Sequence, residues 1–314
     1  MQYIKDLKEN SRISAVYMLK SRNQLLTKTG RAYESLSLQD KTGVLSGKIW
    51  DPDSSGIEDV DAPNFVEVMG DIVSFNGALQ LNIRRIRKAD EGAYDPSDYT
   101  PASEYNRDEM FDKLKGYIGK VENPYLKQVL NMVFFEDATF EKRFKNHSAA
   151  KSVHHGFVGG LVEHTLSVVE LCAGFAEHYP LLNKDLLISA AALHDIGKLY
   201  ELSGFPENDY TDEGQLLGHI MIGVEIVGDC IKKIDGFPRG LANELKHCII
   251  AHHGELEFGS PKKPAIPEAV ALHFADNLDA KMETMKEVFA NAQPGAEWVG
   301  YNKFLDSNIR RTGK

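Results

Sequence analysis

The sequence predicts a chain of two domains, an all-β barrel followed by an all-α helical bundle. Three observations carry this. Residues 11–90 alternate apolar and polar side chains in short runs broken by turn dipeptides. Residues 91–106, EGAYDPSDYTPASEYN, contain two prolines and almost no aliphatic side chain. From Arg107 onward the apolar spacing becomes helical and strand signals stop. The 314 residues suit two domains, placed at 1–90 and 107–314 with 91–106 as linker.

The first strand spans 13–27. Thr29-Gly30 turns the chain into 32–39, where Leu36 and Leu38 share one face and Tyr33, Ser35 and Ser37 the other. After the turn at 40–43, residues 44–50 place Leu45 and Ile49 together. The polar stretch 51–63 has room for a short helix. A fourth strand, 65–75, meets Asn76-Gly77, a strong hairpin signal. The fifth, 78–87, turns Leu79, Leu81 and Ile83 inward. Five strands with a connector between the third and fourth describe an OB-fold. Such barrels hold single-stranded nucleic acid by stacking bases on aromatic rings and steering phosphates with cations. Tyr33, Lys48, Gln80, Asn82 and Arg84 fall on the outward parity, and Tyr33, Lys48 and Arg84 are the candidate contacts to a bound strand. Trp50, beside Asp51-Pro52, reads as structural.

Charge separates the two parts. Residues 1–90 carry 13 basic and 12 acidic side chains, a net of +1, whereas the whole chain is at −10. The barrel is therefore the better partner for a polyanion. No apolar run approaches the ~18 residues of a membrane span. The charged start, MQYIKDLKENSR, lacks a signal-peptide core. Cys172, Cys230 and Cys248 lie far apart in apolar contexts, as reduced thiols of a cytoplasmic protein do.

In the second part, 108–119, 124–135, 139–145, 161–179, 185–202, 214–234, 239–252 and 267–290 read as helices. Within 186–200 apolar residues surround His194, Asp195 and Lys198 on almost every side. Polar groups buried in a core are costly unless satisfied. A hydrogen-bonded His–Asp pair would satisfy them, and so would a metal ion. His164, His219, His252, His253 and Asp276 are spread over other predicted helices, and a bundle can bring such residues to one centre. Five imidazoles and two carboxylates are too many for one octahedral ion that keeps a water. Two divalent ions can use them if Asp195 is shared. One takes His164, His194, Asp195 and Asp276; the other takes Asp195, His219, His252 and His253. Imidazole-rich sites favour Mn²⁺ or Fe²⁺ over Mg²⁺, with Co²⁺ and Zn²⁺ also admissible. Such a pair lowers the pKa of a shared water and neutralises phosphate oxygens, which suits phosphodiester hydrolysis. Asp195 and Lys198 are the catalytic candidates, Lys198 facing the developing negative charge. Lys151, His154 and His155 precede Gly159-Gly160 at a helix entrance and are candidate phosphate contacts. Glu163 orients a ligand or caps its helix. His147, His178, His247 and His273 read as structural or surface residues.

The ordered set His164, His194-Asp195, His219, His252-His253, Asp276 resembles the binuclear branch of the HD-domain phosphohydrolases. The segment HHGFVGGLVEHT, the following HDIGK and the N-terminal barrel together resemble the YhaM-type 3′→5′ exoribonucleases of Gram-positive bacteria. The resemblance implies a hydrolase dependent on divalent metal, with Mn²⁺ favoured, acting on the 3′ end of single-stranded RNA and to some extent single-stranded DNA. The polarity rests on the resemblance alone. HD enzymes of cyclic dinucleotides carry Gly-Tyr-Pro after the double histidine, and 254–261, GELEFGSP, does not. Two other readings remain: a phosphohydrolase of small nucleotides whose barrel serves assembly, and a non-catalytic binder of single strands. The aromatic tail 298–304 suits packing on its own domain or on a second copy in a homo-oligomer.

Overall fold

The structure, a computed structural model, describes residues 2–27, 29–75, 78–95, 98–151, 155–205, 207–290, 292 and 295–313. Alternating residues close the first five strands into a barrel. These are β1 (Arg12–Leu26), β2 (Ala32–Asp40), β3 (Gly43–Ile49), β4 (Asn64–Phe75) and β5 (Ala78–Lys88), in the order β1-β2-β3-β5-β4. β4 closes onto β1, and β3 runs parallel to β5. Register shifts at Leu19/Ser21 and Met69/Gly70 bend the long strands, as closure requires. Leu36, Leu38, Leu45, Ile49, Val68 and Leu81 fill the interior. Residues 51–63 form turns and one bridge, Ile57 to Ile86, with no helix. Asn76-Gly77 lies outside the described residues.

The segment read as a linker divides between two units. The barrel unit is Met1–Ala102 with Phe205–Glu207, and the helical unit is Ser103–Gly204 with Asn208–Lys314. Tyr94 and Tyr99 pack on Phe65 at 4.2 and 5.2 Å, and Lys41 pairs with Asp98 at 2.6 Å. Aromatic packing and ion pairing, rather than aliphatic burial, tie Tyr94, Asp98 and Tyr99 to the barrel. An aliphatic count does not register that kind of attachment.

The helical unit contains α1 (Arg107–Gly119), α2 (Pro124–Phe134), α3 (Ala138–Asn146), α4 (Gly160–His178), α5 (Lys184–Leu193), α6 (Lys198–Glu201), α7 (Asp212–Lys232), α8 (Arg239–Ala251) and α9 (Pro267–Ala290). Asparagine or threonine side chains cap several starts: Asn106, Asn123, Asn183 and Thr211 accept from backbone N–H groups of the first turn. Residues 186–193 are all buried, so α5 is the central helix against which α4, α8 and α9 pack. The helix expected over 185–202 is interrupted. α5 stops at Leu193, and His194 to Gly197 form a turn before α6. A Cβ on Gly197 would lie 2.0 Å from the His219 carbonyl, so the turn and α7 meet backbone to backbone. The unit is not wholly helical, since β6 (Trp298–Asn302) and β7 (Ser307–Arg310) form a hairpin carrying exposed Trp298 and Tyr301. By length and composition α7 could cross a membrane, although His219, Glu225 and Asp229 interrupt its apolar residues. It packs on α6 and α8 and carries His219, as a bundle helix does.

Candidate metal centre

The centre is assembled from the end of one buried helix and the facing sides of four other segments. The α5–α6 turn supplies His194 and Asp195, and α4 supplies His164 from its second turn. In α7 a kink at Gly218 (φ 72°) immediately precedes His219. His252 and His253 leave the end of α8, and Asp276 comes from α9. His164 Nε2 lies 3.2 Å from His194 Nε2, 3.2 Å from Asp276 Oδ1 and 3.3 Å from Asp195 Oδ2. On the other side, His219 Nε2 and His252 Nε2 lie 3.6 and 3.7 Å from Asp195 Oδ1. The His253 ring is 4.3 Å from that of His252 and 5.2 Å from that of His219. His164, His194 and Asp276 form one close group of donor atoms, and His219, His252 and His253 form another. The two oxygens of Asp195 face one group each.

Each imidazole has its Nδ1 occupied. His194 and His252 donate to the Ala191 and Ile249 carbonyls at 2.8 and 2.6 Å, and His253 donates to Phe258 at 2.8 Å. His219 Nδ1 meets Glu201 Oε1 at 2.9 Å, and His164 Nδ1 meets Asp279 Oδ2 at 2.7 Å. An acceptor on Nδ1 fixes the proton there and leaves the Nε2 lone pair directed into the centre. Asp195 Oδ1, His219 Nε2 and His252 Nε2 are buried without a hydrogen-bond partner. Buried polar atoms in that state are rare and call for a missing partner. A divalent cation fits this donor set.

Charge points the same way. Burial would lower the His164 imidazole, but the carboxylates of Asp195, Asp276 and Asp279 outweigh it and hold it well above its ordinary value. Burial, then repulsion from His253 and His194, pulls His252 well below. Burial and His219 lower His253. Burial opposes ionisation of Asp195, yet Lys198 and His194 hold its carboxyl far below the usual range. The first group thus demands positive charge, and in the second His252 and His253 present neutral imidazoles ready to ligate.

Lys198 Nζ sits 2.6 Å from Asp195 Oδ2. The other expected contacts fall elsewhere. Lys151 pairs with Asp209 and covers the Tyr210 ring at 5.6 Å. His155 is buried, with Nε2 3.0 Å from Asp279 Oδ2, so it is not a phosphate contact. His154 lies outside the described residues. The N–H groups of Gly160 and Leu161 already donate to the Phe157 and His147 carbonyls, so the helix entrance offers them to no anion. His273 Nδ1 donates to the His252 carbonyl at 3.0 Å and braces the double histidine. The sequence reading missed Asp279 and Glu201, which orient His164 and His219. The signal for Asp279 was its position three residues after Asp276, on the same face of one helix.

On the barrel, Tyr33 and Trp50 stack with centroids 5.1 Å apart, and Lys48 Nζ lies 5.2 Å from the Tyr33 ring. Trp50 Nε1 donates to Asn82 Oδ1 at 3.0 Å, and the residue is 46% exposed. Trp50 therefore belongs to the outward platform, contrary to its expected structural role. Its parity with Lys48 along the strand was the available signal. Gln80 turns out buried, and Arg84 pairs with Asp71 at 2.5 Å.

A closed barrel of OB topology followed by a helical unit that carries a His/Asp centre defines the class: an HD-domain protein with an N-terminal OB-fold. Residues 161–281 match the HD domain family. A 3′-5′ exoribonuclease YhaM from Geobacillus sp. (strain WCH70) is 39% identical over 287 residues, covering 89% of this chain and 86% of that protein. The chain belongs to the YhaM family. Among solved structures it is similar to the second OB-fold domain of replication protein A from Methanococcus maripaludis, at 21% identity and TM-score 0.23, covering 29% of this chain and 96% of that one. It is also similar to a replication protein A heterotrimer bound to ssDNA, at 19% identity and TM-score 0.21, covering 28% and 64% respectively.

Proposed function

We propose that the chain is a metal-dependent exoribonuclease that removes nucleotides from the 3′ end of single-stranded RNA. The observation that carries the chemistry is the placement of Asp195, whose two oxygens each face a separate set of donors. His164, His194, Asp195 and Asp276 would hold one divalent ion, and Asp195, His219, His252 and His253 a second, with Mn²⁺ the favoured metal. Bound there, the ions supply Lewis acidity to phosphate oxygens and an acidified water. The protein's own groups do the rest. Glu201 and Asp279 hold the imidazoles in the ligating tautomer. Lys198, fixed by Asp195, places an ammonium beside the reacting phosphate and stabilises charge that develops there. Tyr33 and Trp50 offer stacking faces, and Lys48 a cation, to the strand. The substrate and the 3′→5′ direction follow the activity in the relative's name.

RNA labelled at the 5′ or the 3′ end, digested in separate divalent metals, tests this. A 3′ label should be released at once as mononucleotide, and a 5′ label should move through a descending ladder. Immediate release of the 5′ label, or turnover of a cyclic dinucleotide or a dNTP with RNA left intact, contradicts it.

A further inference from the structure

Beside the centre, and outside its donors, lies a second cluster of ligand-type side chains: His155, Glu163 and Glu283. One nitrogen of His155 and one carboxylate oxygen from each glutamate lie within 4.8 Å of one another. All three residues are at least nine-tenths buried. His155 Nε2 is committed to Asp279, 3.0 Å away. The remaining nitrogen, Nδ1, is buried without any partner. With the Nε2 proton given to Asp279, Nδ1 carries a lone pair, which is a metal ligand in waiting. Around it Ser103 Oγ donates to Glu163 Oε2. Lys286 Nζ stands 3.4 Å from Glu283 Oε1 and 3.7 Å from Glu163 Oε1. Glu287 is near enough for Glu283 to help raise its carboxyl, after burial. Two buried carboxylates with one partial ammonium neighbour and an orphaned imidazole lone pair leave negative charge uncompensated.

We infer that His155 Nδ1, Glu163 and Glu283 form a further divalent-cation site, separate from the donors of the catalytic centre. Two carboxylates and an imidazole suit Mn²⁺, Fe²⁺ or Zn²⁺ better than Ca²⁺ or Mg²⁺. The ion would fasten the segment before α4 and the first turn of α4 to α9, because His155 comes from the first, Glu163 from the second and Glu283 from the third. It would reach the centre only through Asp279, which accepts from both His155 and His164.

The test is a count of Mn²⁺ bound per chain, by equilibrium dialysis, for the full-length protein and three variants. Glu283→Gln and Glu163→Gln should each bind one ion fewer than wild type, with unchanged circular dichroism. Lys286→Met removes a half-exposed competing charge and should tighten the weakest site about tenfold. The readout is a difference between variants, so it is independent of how many ions the catalytic centre holds. Equal counts in wild type and both glutamate variants overturn the proposal, as does a Lys286→Met protein whose weakest site is unchanged. If a glutamate variant fails to fold, the Lys286→Met affinity decides alone.

Discussion

Asp195→Ala has two consequences that can be measured apart. In the metal-free protein Asp195 is the nearest counter-charge of Lys198, 2.6 Å away, and the Lys198 side chain is only 16% exposed. Burial would depress the ammonium, and Asp195 more than offsets that. Removing one partner of a buried ion pair costs roughly 3–5 kcal/mol, because the other charge is left uncompensated. Asp276 and Glu201 also act on Lys198, which puts the expected cost at the low end, about 3 kcal/mol. Urea unfolding in chelator, followed by far-ultraviolet circular dichroism, measures it. Asp195→Ala/Lys198→Met should then recover about 2 kcal/mol, since no charge is stranded. With metal restored, the single variant should lose at least about a thousandfold in RNA hydrolysis, roughly 4 kcal/mol of transition-state stabilisation. A single variant as stable as wild type in chelator, or a double variant no better than the single, refutes the electrostatic argument. Nucleotide release that survives the substitution refutes the site.

Further outcomes follow from the same geometry. Glu201→Gln and Asp279→Asn should each weaken metal binding by roughly 10–100-fold in calorimetry while leaving the fold intact, because Glu201 orients the His219 imidazole and Asp279 that of His164. Tyr33→Ala and Trp50→Ala should each weaken binding of a single-stranded oligonucleotide by about 1–3 kcal/mol in fluorescence anisotropy. They should leave cleavage of a dinucleotide unchanged, since it needs no barrel. Cys172 and Cys248 should resist alkylation in the native protein and react on unfolding: both are buried, and burial pushes the Cys248 thiol up to about 12.

How much of this was legible in the sequence varies with the physics of each element. The barrel strands show because one face is buried and the other is not, so Leu36/Leu38 and Tyr33/Ser35 separate by parity. The cluster of histidines and aspartates shows because polar residues inside apolar runs, such as His194 and Asp195, stand out. The break after Leu193 does not show, since a helix buried on all sides and a turn buried among the same neighbours share one composition. Asp279, Glu201 and Glu283 were hidden for the opposite reason: a lone carboxylate on a helix has the appearance of a solvated face until its partner is placed. The attachment of 91–102 by Tyr94, Tyr99 and Asp98 depends on contacts with Phe65 and Lys41, which are remote in sequence.

The account stands on Asp195 serving two ions at once. Anomalous diffraction from Mn²⁺-loaded crystals tests this most directly. At the centre it should show two peaks about 3.5–4 Å apart, one beside each carboxylate oxygen of Asp195. A single peak at the centre, or two peaks that share no oxygen-bearing side chain, would contradict it.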